Sequence, residues 1–114
     1  MFVNRRQFVR VPLQTAVTCR VEDQTFQGTS SNISQGGILF EMGRPLPVGA
    51  NVRLSFGLPG RQLRIDTTGV VARVDDLHRI GVRFTRIGGR ELQLIRDLIG
   101  SDDSESPQTS YKPT

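Results

Sequence analysis

Between Val11 and Phe84 apolar and polar residues alternate in short runs, each closed by a turn signal. A period of two puts one face of an extended segment in a core and the other in water, so these runs demand antiparallel β-structure. From Val11 the apolar set falls on Leu13, Val17, Cys19 and Val21, with Gln14, Thr18, Arg20 and Glu22 between them. Glu22-Asp23-Gln24 turns into a second run near 25–29. After Gly36-Gly37, Ile38, Phe40 and Met42 share a face opposite Leu39 and Glu41. Gly43-Arg44-Pro45-Leu46-Pro47 ends that run, since proline has no amide to give a ladder.

Val52, Leu54, Phe56 and Leu58 alternate with Arg53 and Ser55 up to the Pro59-Gly60 turn. The next run changes phase. Leu63, Ile65 and Thr67 share one parity and Val70, Ala72 and Val74 the other, which predicts a bulge at Gly69. Asp75-Asp76-Leu77-His78 reverses the chain into Ile80, Val82 and Phe84. The period then lengthens. After Gly88-Gly89, Leu92, Ile95, Leu98 and Ile99 form one stripe of a helix, with Glu91, Gln93, Arg96 and Asp97 facing away and Gly100 as its stop.

Six strands and one amphipathic helix are most economically closed on themselves, because closure leaves no open edge. The expected fold is a mainly β, small six-stranded antiparallel β-barrel with a C-terminal α-helix over one end or edge. Residues 1–12 are expected as an N-terminal arm, 13–100 as the barrel and helix, and 101–114 as a disordered tail rich in Ser, Asp and Pro.

Composition narrows the chemistry. A chain of 114 residues makes one domain that buries roughly two thirds of its unfolded surface. No apolar run approaches the ~20 residues of a membrane span, and Met-Phe-Val-Asn-Arg-Arg has no apolar stretch behind it. A single cysteine, Cys19, allows no internal disulfide, and a cytoplasmic chain without membrane contact is expected. Residues 1–100 carry 14 arginines against 8 acids, whereas residues 101–114 are net −2. Guanidinium suits phosphate and guanine edges, although a GC-rich genome produces the same arginine bias. Catalysis is not expected. His78 lies in a turn, Cys19 alternates with buried valines, and no cluster has metal-ligand spacing.

Two motifs remain. Arg-x-x-x-Arg occurs three times, at Arg6/Arg10, Arg79/Arg83 and Arg86/Arg90, but only the first precedes the first strand, where backbone can fold over a ligand. Asn32-x-Ser34-x-x-Gly37 follows it and, read alone, is an Asx or Ser turn closed by glycine. In this order, with Gly36-Gly37-Ile38-Leu39-Phe40 after the second motif and Gly81-Val82-Arg83-Phe84-Thr85 before the helix, the chain resembles a PilZ domain over about residues 5 to 100.

That resemblance implies a receptor for cyclic di-GMP that changes conformation on binding and signals to an effector protein, in motility, biofilm formation or a related process. It implies ligand-binding roles for Arg5, Arg6, Arg10, Asn32, Ser34, Gly36 and Gly37, with Arg73 as a weaker candidate for stacking. Arg6 and Arg10 would clasp phosphate or guanine, and Arg5 before them makes a stacked ligand pair plausible. Asn32 would accept from guanine, Ser34 would meet phosphate or hold the turn, and Gly37 would take positive φ or approach the ligand closely. No cofactor beyond the nucleotide, no nucleic acid partner and a monomer or weak dimer are expected. The alternatives are a PilZ-fold interaction module that does not bind the nucleotide, and a basic β-barrel that binds nucleic acid. The latter lacks stacking aromatics, with no tryptophan and one tyrosine.

Overall fold

The computed structural model describes residues 9–60, 62–75 and 78–103. Its elements are β1 (Val11–Pro12), β2 (Ala16–Val21), β3 (Gln24–Ile33), β4 (Gly37–Met42), β5 (Asn51–Gly57), β6 (Arg64–Asp75), β7 (Arg79–Arg86) and α1 (Gly89–Asp103). All strand pairs are antiparallel, in the order β1-β3-β2-β5-β6-β7-β4. A further pairing of β3 with β4 closes the last six into a barrel. Closure satisfies both edges of every barrel strand, which a sheet this size cannot otherwise do.

The alternation read in the sequence becomes the barrel interior. Val17 and Cys19 from β2, Ile33 from β3, Phe40 from β4, Leu54 and Phe56 from β5, Ile65 from β6 and Ile80 from β7 are each 0% exposed. Helix α1 closes the core with Leu94, Ile95 and Ile99. Fully burying a side chain of this size contributes about 1.5–3 kcal/mol, so the interior is the main source of stability.

Several boundaries depart from the sequence reading. The first run is two strands: β1 pairs with the far end of β3, then Leu13 to Thr15 cross over to β2. Ser30, 3% exposed, makes that crossing possible. Its hydroxyl donates to the Leu13 carbonyl and accepts from the Thr15 amide at 3.0 Å. Strand β3 runs well past residue 29 and carries Asn32 to its end.

The phase change in β6 also lies elsewhere. Ile65, Thr67, Gly69 and Val71 are all buried, whereas Ala72 is exposed. Register shifts at both 68/69 and 71/73. At the first the extra residue is Thr85, on the opposite strand, so β6 keeps its parity. At the second it is Ala72, and there β6 flips. Gly69 is glycine for another reason: a Cβ would meet Val82 Cγ1 at 2.5 Å and the Arg83 carbonyl oxygen at 2.6 Å. Finally, α1 passes through Gly100 to Asp103, and its buried stripe includes Leu94, with Leu92 only half-buried.

Candidate functional site

Asn32 and Ile33 end β3 with opposite orientations, Ile33 sealed in the core and Asn32 half-buried on the outer wall. Ser34 follows, 3% exposed. Its hydroxyl accepts from the Gly36 amide at 3.1 Å, and its amide donates to the Gly37 carbonyl at 2.9 Å. This is a serine-closed turn that fixes the backbone between β3 and β4. The Gly36 carbonyl accepts from the Phe84 amide at 2.9 Å, tying the turn to β7.

Gly37 pairs with Arg83, and positive φ among the described residues occurs at Glu22, Gly49 and Gly60 instead. A Cβ on Gly37 would press on the Val82 carbonyl oxygen and lie 3.3 Å from its carbon. Close strand approach, not a left-handed conformation, is what requires glycine there.

The two motifs meet through β1. Val11 pairs with Ile33 and Pro12 with Asn32, so the residue before β1 emerges beside the Asn-x-Ser turn. Arg10 Nη1 donates to Asn32 Oδ1 at 2.7 Å, across 22 residues of sequence. Guanidinium has five N–H donors in a planar fork and an amide oxygen two acceptor sites, so both groups keep capacity for a ligand. Arg5 and Arg6 lie outside the described residues.

Arg73 lies on the same outer face at the same level. Asn32, Leu39, Gly81 and Arg73 pair in one row across β3, β4, β7 and β6. At about 4.8 Å per strand, Arg73 is some 14 Å from Asn32 along the wall. Its side chain lies across Gly81, Cγ being 3.2 Å from where a Cβ would stand there. Arg73 Nε is 3.3 Å from Asp75 Oδ2, and the side chain is 61% exposed, as an ordinary strand arginine would be. Leu39 points away from the interior by its position between Ile38 and Phe40, yet it is only 8% exposed. It forms an apolar floor between Asn32 and Gly81.

Two further arginines stand close to the turn. Arg83 faces outward directly opposite Gly37, two residues along from the Asn32 row. Arg96 of α1 donates from Nε to Gln35 Oε1 at 3.1 Å, holding the helix to the motif turn. Strand parity puts Arg83, and the helical period Arg96, on the solvent side. Only the β4–β7 pairing and the docking of α1 bring them here, so the sequence carries no local signal for either. The wall thus gathers Arg10, Arg73, Arg83 and Arg96 around an amide, a serine turn and an apolar floor. It is suited to an anionic ligand with flat faces. Among the described residues no three His, Cys, Asp or Glu side chains gather as a metal would need, and no helix is long and apolar enough to cross a membrane.

The fold is shared with solved structures. The Bacillus subtilis inhibitor of motility, MotI/DgrA, superposes with a TM-score of 0.80 at 24% identity over 91% of this chain and 54% of that one. The PilZ domain of YcgR from Escherichia coli, solved with c-di-GMP, gives 0.71 at 14% identity over 96% and 100%. The K. pneumonia MrkH–c-di-GMP complex gives 0.69 at 17% over 94% and 56%. The chain therefore spans about half the length of the B. subtilis and K. pneumonia proteins. No curated protein matches it. The family model of the PilZ domain matches residues 4–101, and the chain belongs to the PilZ family, whose domains are ligand-binding regulators and adaptors, not enzymes.

Proposed function

We propose that this PilZ domain is a cytoplasmic receptor for cyclic di-GMP that signals to an effector protein. The observation that carries the reading is the 2.7 Å hydrogen bond from Arg10 to Asn32, which joins the two motifs on one wall. Cyclic di-GMP presents two phosphates and two guanines. Arg10 would turn part of its fork to a phosphate or a guanine edge while Asn32 accepts from guanine N1–H and N2–H. Arg6, and Arg5 before it, would complete the clasp from the preceding segment. Arg73, across the row from Asn32, would leave Asp75 to stack over a base. Ser34 holds the turn in place, its hydroxyl already accepting from the Gly36 amide.

Ligand binding would change the surface around residues 5–10 and the motif turn, and a partner protein would read that change. The likeness to MotI/DgrA, an inhibitor of motility, supports an output in motility.

Isothermal titration with cyclic di-GMP, with GTP and cyclic GMP as controls, tests the reading. Saturable, selective binding is expected, weakened at least about tenfold by Arg10→Ala or Asn32→Ala, the loss of about one charge-assisted contact. A molar ratio of two would support a stacked pair next to Arg5. Undiminished affinity in the Arg6→Ala/Arg10→Ala double variant, or no heat at high micromolar ligand, overturns the assignment and leaves a partner-binding module.

A further inference from the structure

A second basic feature lies away from the Arg10–Asn32 wall. Arg20 pairs directly with Arg53 across β2 and β5, Arg53 with Thr68 across β5 and β6, and Thr68 with Arg86 across β6 and β7. The neighbours Cys19, Val52 and Leu54 are buried, so Arg20 and Arg53 point outward, and all three arginines are exposed. Directly opposed strand residues hold their Cβ atoms about 4.5–5.5 Å apart, and like charges there repel. Among the described residues, no carboxylate comes within ion-pair distance of Arg20, Arg53 or Arg86.

The row borders an open groove of about 710 Å3, closed on its other side by Ile87, Gly88 and Glu91 at the start of α1. Small-molecule sites commonly measure about 300–1,000 Å3. Thr18, Ser55 and Thr68 line it with hydroxyls, of which Ser55 accepts from Arg64 Nε at 3.2 Å and keeps its own proton to donate. Thr67, 5% exposed, donates its hydroxyl to the Arg86 carbonyl and fixes that corner. Two acids line the groove. Glu91 lies at the groove's helix side, one carboxylate oxygen facing Gly88 and the other 3.7 Å from Arg90 Nη1, so its charge is partly met by that arginine. Three guanidinium groups therefore face Asp66 and a Glu91 already paired with Arg90.

We infer that this groove is a second anion site, separate from the motif wall, and that its occupant is a soluble phosphate ester carrying at least two phosphate groups. Arg20 and Arg53 form a pair of forks for one phosphate, and Arg86, two strands and about 10 Å from Arg53, takes the other end. Arg20 is opposite Thr25, seven residues before Asn32 along β3, so about 23 Å separates it from the Arg10–Asn32 pair, and the two sites come nearest at Arg86 and Arg83, about 10 Å apart on β7. The mutual repulsion of Arg20 and Arg53 is relieved when the anion binds.

Pyrophosphate titrated into isotope-labelled full chain, followed by amide NMR, is the test. Saturable shifts confined to residues around Arg20, Arg53, Thr68 and Arg86 are expected. They should need at least about tenfold more ligand in Arg20→Gln/Arg53→Gln, and they should persist in Arg10→Ala, which disables the other site. Because the double variant removes a like-charge pair, its melting temperature should equal or exceed the parent's, which separates lost binding from lost fold. Asp66→Asn should tighten binding. Shifts scattered over the surface without saturation overturn the proposal. So does unchanged affinity in the double variant, or retention on phosphatidylglycerol vesicles with no response to pyrophosphate.

Discussion

Replacing Gly37 by alanine isolates a packing role from a ligand role. The new Cβ would press on the Val82 carbonyl oxygen, 3.3 Å from its carbon and 3.4 Å from Arg83 Cα, all backbone of β7. No rotamer change relieves backbone on backbone, so β4 and β7 must part where Gly37 pairs with Arg83. The local strain is about 1–3 kcal/mol, and weakening a neighbouring bond such as Phe84 N–H to Gly36 O adds about 1 kcal/mol. A total of about 2–4 kcal/mol corresponds to a fall of about 8–16 °C in Tm for a domain of this size. Thermal melting without nucleotide is the assay, with Gly43→Ala as control, since a Cβ there meets nothing within 4 Å. A fall below about 4 °C, or equal shifts in both variants, would refute the steric account and return the motif glycine to ligand contact alone.

Ser30→Ala should cost about 1–3 kcal/mol in urea unfolding, because the Leu13 carbonyl and the Thr15 amide both lose their buried partner; an unchanged midpoint would contradict it. Gly100→Ala, exposed within α1 with open space around the new methyl, should raise stability by about 0.4–1 kcal/mol, and a loss would show that the helix ends before it. Burial raises the Cys19 thiol from 9.0 to about 11, so the folded state holds the proton more tightly than the unfolded chain. Its contribution is fully present below pH 9 and lost as pH rises toward 11, an effect on the order of 2–3 kcal/mol. Native protein at pH 8 should therefore react slowly with a thiol reagent and fully once denatured, and Cys19→Ala should flatten the alkaline loss; prompt native labelling would refute burial.

Strand runs, the helix and the order of the motifs were legible in the sequence because each depends on local periodicity or turn chemistry. Alternation between Val17 and Cys19, or between Leu54 and Phe56, states which side faces inward whatever the neighbour. Asn32, Ser34 and Gly37 were legible as a turn for the same reason. Distant pairings were not. Alternation is indifferent to an extra residue on the opposite strand, so the phase change in β6 pointed to Gly69, whereas Ala72 is the residue that flips it. Gly100 read as a stop because glycine is a poor helix former, but packing of Leu94, Ile95 and Ile99 against the barrel carries α1 beyond it.

The sequence by itself determined a barrel-forming pattern, a terminal helix and two motifs in PilZ order. Tertiary structure decided where those motifs meet. Barrel closure through β3 and β4, and the short pairing of β1 with β3, place Arg10 against Asn32 across 22 residues. The same closure sets Arg83 opposite Gly37, and the docking of α1 brings Arg96 to Gln35. It also lines up Arg20, Arg53 and Arg86 across adjacent strands. Periodicity fixes the face on which a side chain stands, whereas its neighbours on that face follow from strand register, which only the closed sheet sets.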